Sequence, residues 1–103
     1  MKEYPITSYA TYIKNGTEST CIQFFEHNRD RGAVRFFPDD SELKDAELGS
    51  EGKIFLNMRI NRLNAVLDIL RHQNPLYLFF EDGNNAGLRS KRETVGDDDL
   101  WIT

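Results

Sequence analysis

The residue types in this 103-residue chain that could do chemistry together are cations set among aromatics. Arg29, Arg31 and Arg35 lie beside Phe36 and Phe37, Lys53 and Arg59 flank Phe55, and Arg89, Lys91 and Arg92 follow Tyr77 in the last third of the chain. Surfaces of this kind hold single-stranded nucleic acid, because cations track phosphates while bases stack on exposed rings, each stacked base contributing roughly 1–3 kcal/mol. The same residues have a plainer use, with the rings in a core and the cations paired to carboxylates. Other chemistries lack their parts. One cysteine and two histidines, His27 and His72, separated by 45 residues, give no pair at zinc-ligand spacing. There is no Gly-x-Ser-x-Gly elbow for a nucleophile, and the seven glycines are scattered singly, so no phosphate-cradling loop is present. Asp39-Asp40-Ser41-Glu42 lacks the alternating ligand positions of a calcium loop. The expectation is a binding protein without catalysis, metal or cofactor.

Charge bears on that expectation. The chain holds 13 Lys and Arg against 17 Asp and Glu, a net charge of -4, which at first opposes a polyanionic ligand. Three of the acids are Asp97, Asp98 and Asp99, so residues 1–94 carry a net of only -1 and leave room for a local basic face. A composition of 39% hydrophobic and 12% aromatic residues supports one core in one domain, expected over 1–95, with a tail over 96–103. Cys21 has no partner for an intramolecular disulfide and sits in the apolar run Cys21-Ile22-Gln23-Phe24-Phe25, as a buried thiol would. There is no apolar signal region at the start and no apolar run of about 18 residues. The expected compartment is the cytoplasm, with no membrane partner.

The elements that must position the cations follow from periodicity. Ile6–Ile13 reads as a strand and Asn15-Gly16 as a tight hairpin turn, followed by a strand over about Ser19–Glu26. His27–Gly32 reads as a polar turn before a short strand, Ala33–Phe37, that Pro38 ends. Ser41–Leu48 reads as either one helical turn or an irregular connection. Lys53–Ile60 alternates strictly, with Ile54, Leu56, Met58 and Ile60 toward a core and Lys53, Phe55, Asn57 and Arg59 away from it. A helix of about 61–73 follows, capped by Asn61 and carrying the stripe Leu63, Val66, Leu67 and Leu70, and Pro75 stops it. Leu76–Phe80 is apolar on both faces, suited to a sheet interior or to a partner, and Ala86–Val95 reads as a polar edge strand. The predicted class is α+β, an antiparallel sheet of about five or six strands packed against one main helix.

Strands leading through Gly52-Lys53-Ile54-Phe55-Leu56 into Leu63-Asn64-Ala65-Val66-Leu67-Asp68-Ile69-Leu70 make a pattern similar to the β-β-β-β-α unit of single-stranded-DNA-binding transcriptional regulators. These are the positive-cofactor-four, Whirly and Pur domains. The resemblance covers about half the chain, without the Lys-Gly-rich Whirly motif, and implies a homodimer in which Arg35, Phe55 and Arg59 face nucleic acid. The end of the chain, Asp97-Asp98-Asp99-Leu100-Trp101-Ile102, looks like the acidic, hydrophobic-tipped tail of bacterial and phage single-strand-binding proteins. That likeness implies a protein partner for the tail; docking of Leu100–Ile102 on the chain's own core is the other reading. Together these observations predict a non-catalytic binder of single-stranded DNA or RNA, a transcription or replication accessory factor, through Arg29, Arg31, Arg35, Lys53, Phe55, Arg59, Tyr77, Arg89, Lys91 and Arg92. The alternative from another class is a small protein-interaction or assembly module.

Overall fold

Alternating and β-branched stretches do form strands here, but they pair into two sheets rather than one. The computed structural model describes residues 1–13 and 20–90. Its strands are β1 Lys2–Pro5, β2 Ser8–Ile13, β3 Thr20–Glu26, β4 Arg29–Phe37, β5 Glu47–Leu48, β6 Ile54–Arg59, β7 Leu76–Asp82 and β8 Asn85–Ser90, with one α-helix, α1, at Leu63–His72. The class is α+β, as expected. The Asn15-Gly16 turn, Lys91, Arg92 and the tail from residue 96 lie outside the described residues.

The expected single antiparallel sheet is corrected in two ways. A three-stranded sheet has the order β1-β7-β8, and a five-stranded sheet has the order β2-β3-β4-β6-β5. The chain passes from one to the other between two neighbouring residues: Ile6 N–H donates to Leu76 O at 2.9 Å, and Thr7 N–H donates to Phe25 O at 2.8 Å. The second correction is that β4 and β6 run parallel. Parallel neighbours need a crossover of a dozen or more residues, and the acidic stretch after Pro38 is that crossover. It forms no helical turn over Ser41–Leu48; β5 instead pairs antiparallel with the start of β6.

Local chemistry explains the other departures. His27 and Asn28 have φ of 48° and 70°, the two positive values of a two-residue hairpin turn whose twist matches its strands. The polar turn is therefore two residues long, and Arg29–Gly32 belong to β4. Phe24 faces Gly32 while Phe25 faces Asp30, so Arg31 is an extra residue in a bulge. Gly32 adopts φ 137° there and lies against β6 so closely that a Cβ would stand 1.9 Å from Ile54 O. At the helix, Asn61 belongs to a 3-10 turn, Ile60–Arg62, and its side chain makes no cap. Its backbone N–H instead donates to Asp39 Oδ1 at 2.9 Å, so the first-turn acceptor comes from the connection just after β4.

The inner faces of both sheets meet one core. Ile22 and Phe24 of β3, Val34 and Phe36 of β4, Ile54 and Leu56 of β6, Val66 of α1 and Leu78 of β7 are all buried and in mutual contact. Leu63, Leu67 and Leu70 pack against this cluster, so the predicted helical stripe covers it as its spacing required. Phe24 and Phe36 are the largest side chains wholly removed from solvent.

Candidate nucleic-acid interface

Because the even-numbered residues of β3, of β4 after its bulge and of β6 turn into the core, the odd-numbered ones share the outer face of the five-stranded sheet. Register fixes the rows: Tyr12, Cys21, Arg35 and Asn57 form one, and Ala10, Gln23, Ala33 and Phe55 form the next. Ser8 and Phe25 lie below, and Phe37 stands beside Arg59 above. None of these residues is buried. Each of β2, β3, β4 and β6 thus puts one aromatic ring outward: Tyr12, Phe25, Phe37 and Phe55.

Charges of both signs meet on this face: Arg35, Lys53 and Arg59 with Asp30 of β4 and with Glu47 of β5, whose register partner is Phe55. Arg35 places its guanidinium over the Phe55 ring, 5.6 Å from the centroid, and pairs with no carboxylate among the described residues. Asp30, next to Phe25, is the one carboxylate that register puts outward on these four strands, and Lys53 Nζ lies 3.4 Å from its Oδ2. Arg59 holds the crossover in place: its Nε donates to Asp39 O at 2.9 Å and its Nη2 to Ser41 O at 3.2 Å. Asn57 Nδ2 does the same further along, donating to Lys44 O at 3.2 Å and Asp45 O at 3.1 Å. The pinned segment walls a hollow of about 310 Å³ between Arg35, Phe37, Asn57, Lys44, Glu42 and Glu47. Phe55 is seated from beneath by Gly49, where a Cβ would meet its ring at 2.7 Å.

The ten residues proposed from sequence do not gather on one surface. Arg35, Lys53, Phe55 and Arg59 share this face. Arg31 turns away from it, stacked 4.0 Å over the Tyr4 ring and paired with Glu26 at 2.8 Å. Arg29 stands opposite Glu26 beside the hairpin turn. Tyr77 and Arg89 belong to the outer face of the other sheet, where Arg89 lies 4.8 Å over the Phe79 ring and bonds Glu3 through Nε at 2.8 Å. The apolar run Leu76–Phe80 becomes β7, the central strand flanked by β1 and β8, so both its backbone edges are occupied within the chain. Lys91, Arg92 and the tail residues Asp97, Asp98, Asp99, Leu100, Trp101 and Ile102 lie outside the described residues.

The binding residues expected from sequence leave out Tyr12, Phe25 and Phe37, which the register puts on the outward face. The signal was available: once Phe24 is assigned to the core, period-2 alternation puts Phe25 outside, and the antiparallel partner of Cys21 is Tyr12. Among the described residues there is no group of three metal-ligating side chains and no helix long and apolar enough to cross a membrane. No family model matches the chain, and no curated protein or solved structure is significantly similar to it.

Proposed function

We propose that the chain binds single-stranded DNA or RNA, without catalysis, across the outer face of the five-stranded sheet. The observation that carries this reading is the one outward ring on each of β2, β3, β4 and β6 with the guanidinium of Arg35, unpaired among the described residues, between them, while Asp30, the one outward carboxylate of those four strands, is already held by Lys53. Rings on successive strands offer stacking platforms to unstacked bases, while Arg35 contributes both charge and a planar surface. A duplex has no splayed bases to offer, so single strands are favoured. The mechanism is sequence-tolerant, because every base has a π-face.

Fluorescence anisotropy with a short labelled single strand at two salt concentrations tests it. Each phosphate contact adds about -0.7 to the slope of log affinity against log salt for single strands. Arg35→Ala is expected to flatten that slope by about one contact, and Phe55→Ala to weaken binding by about 1–3 kcal/mol. Arg35 is the cleaner probe of the two outward arginines, since Arg59 also anchors Asp39 and Ser41. No measurable affinity for single strands at low salt overturns the proposal.

A further inference from the structure

The sheet edges are unequally guarded. An edge strand exposes unpaired N–H and C=O groups, and charges, proline or brevity ordinarily protect it from pairing with another chain. β1 carries Lys2, Glu3 and Pro5, and β8 carries Arg89, which is paired with Glu3. β5 is two residues long and includes Glu47. β2 has none of these devices. Its six residues, Ser8-Tyr9-Ala10-Thr11-Tyr12-Ile13, include no charge, proline or glycine, and they pair with β3 on one side only. Among the described residues no strand covers the other side. At its far end Tyr12 is 44% exposed and Ile13 is 78% exposed.

We infer that β2 is a homodimer interface, in which two copies pair their β2 strands antiparallel about a two-fold axis perpendicular to the sheet. Such an axis keeps core side with core side and outer side with outer side, so facing residues must be an even number of positions apart. With Thr11 on the axis, Tyr9 meets the partner's Ile13 on the core side, and Ala10 meets the partner's Tyr12 on the outer side. An aromatic beside a β-branched chain is a favoured cross-strand pair, and a large ring opposite a methyl avoids crowding. This register covers Ile13 with Tyr9, which already packs on the core. Moving the axis to Ala10 would set Tyr12 against the partner's Ser8 and leave Ile13 beyond the paired segment. A neutral strand offers no selection for a charged peptide and is its own complement, so the occupant is a second copy of this chain. The inference does not depend on nucleic-acid binding; where both hold, the two aromatic faces join into one platform across the axis.

A six-residue edge pairing is at the small end of interface size, below about 1,200 Å² in total, so sedimentation equilibrium should span roughly 5–200 µM. The mass is expected to rise from one chain toward two across that range. Thr11→Lys, which opposes two ammonium groups on the axis, should hold the protein monomeric with an unchanged far-ultraviolet circular dichroism spectrum. In a Cys21→Ser background, Thr11→Cys should form a disulfide-linked dimer under mild oxidation, since Cα atoms facing each other across antiparallel strands lie within disulfide reach. Ala10→Cys should not. A chain lacking residues 91–103 should dimerise like the whole one. A mass that stays at one chain, dimerisation unaffected by Thr11→Lys, cross-linking through Ala10→Cys instead of Thr11→Cys, or loss of the dimer on truncation each overturns the inference. Single-strand binding is scored separately by anisotropy.

Discussion

Replacing Gly32 with alanine should separate the two parallel strands that carry most of the proposed binding face. Gly32 sits in the β4 bulge at φ 137°, and its added Cβ would lie 1.9 Å from Ile54 O, 2.7 Å from Ile54 C and 2.8 Å from Ile54 N. Contacts below 3.0 Å do not persist, so β4 and β6 must part by about 1.1 Å at this point, and the obstacle is backbone that has no rotamer to yield. The left-handed backbone costs a residue with a Cβ about 1–2 kcal/mol, and forcing apart a packed core costs about 1–3 kcal/mol more. A loss of about 2–5 kcal/mol follows, a large part of the 5–15 kcal/mol that ordinary domains possess. Urea unfolding followed by circular dichroism measures it: with a slope of about 2 kcal/mol per molar, the midpoint should fall by about 1–2.5 M or the protein should fail to fold. Gly87→Ala is the matched control, because its Cβ would meet the Phe79 ring at an ordinary 3.6 Å with no unusual φ. A Gly32→Ala midpoint indistinguishable from that of Gly87→Ala would falsify the reasoning about the bulge.

Three further outcomes are expected from the same geometry. Phe24→Ala empties one of the two largest wholly buried sites and should cost about 3–5 kcal/mol in urea unfolding, against less than about 1.5 kcal/mol for a volume-conserving Leu63→Met change at the rim of the core. Asp39→Ala removes the carboxylate that accepts from Asn61 N–H and should cost about 0.5–2 kcal/mol, with Asp39→Asn, which keeps an acceptor, recovering most of it. Arg89→Ala breaks the exposed pair with Glu3 and uncovers the Phe79 ring; it should cost less than about 1 kcal/mol, and adding salt should shrink the difference between variant and parent.

The sequence made the strands and the helix legible where side-chain period was strong. Ile54, Leu56 and Met58 face the core as their alternation required, and Val66 is buried with Leu63, Leu67 and Leu70 packed around the same cluster. Pairing was not legible, because the period of a strand says which face is buried and nothing about its neighbour. The length of the acidic crossover between Phe37 and Ile54 was the one clue that these strands run parallel, and a hairpin reading of the chain passes over it. Asn61 looked like a cap from residue type alone, yet a carboxylate 22 residues earlier accepts from its backbone, a long-range substitution that local preferences cannot see. The cations illustrate the same limit at the candidate site. Arg31, Lys53 and Arg89 are each held by a carboxylate, from Glu26, Asp30 and Glu3, and the Glu3 contact spans 86 positions. Doubled aromatics are legible in part: in Phe24-Phe25 and Phe36-Phe37 alternation puts one ring on each face, but which ring is inward waits for the packing, and the outward pair extends the face that Phe55 and Arg35 begin.

The most direct measurement is a two-dimensional amide NMR titration of the isotopically labelled protein with a short single-stranded oligonucleotide. Binding as proposed perturbs the amides and aromatic signals of Tyr12, Cys21, Phe25, Arg35, Phe37 and Phe55, while Tyr77, Phe79 and Arg89 on the other sheet stay in place. Shifts confined to the β1-β7-β8 sheet, or none at saturating oligonucleotide and low salt, would contradict the account.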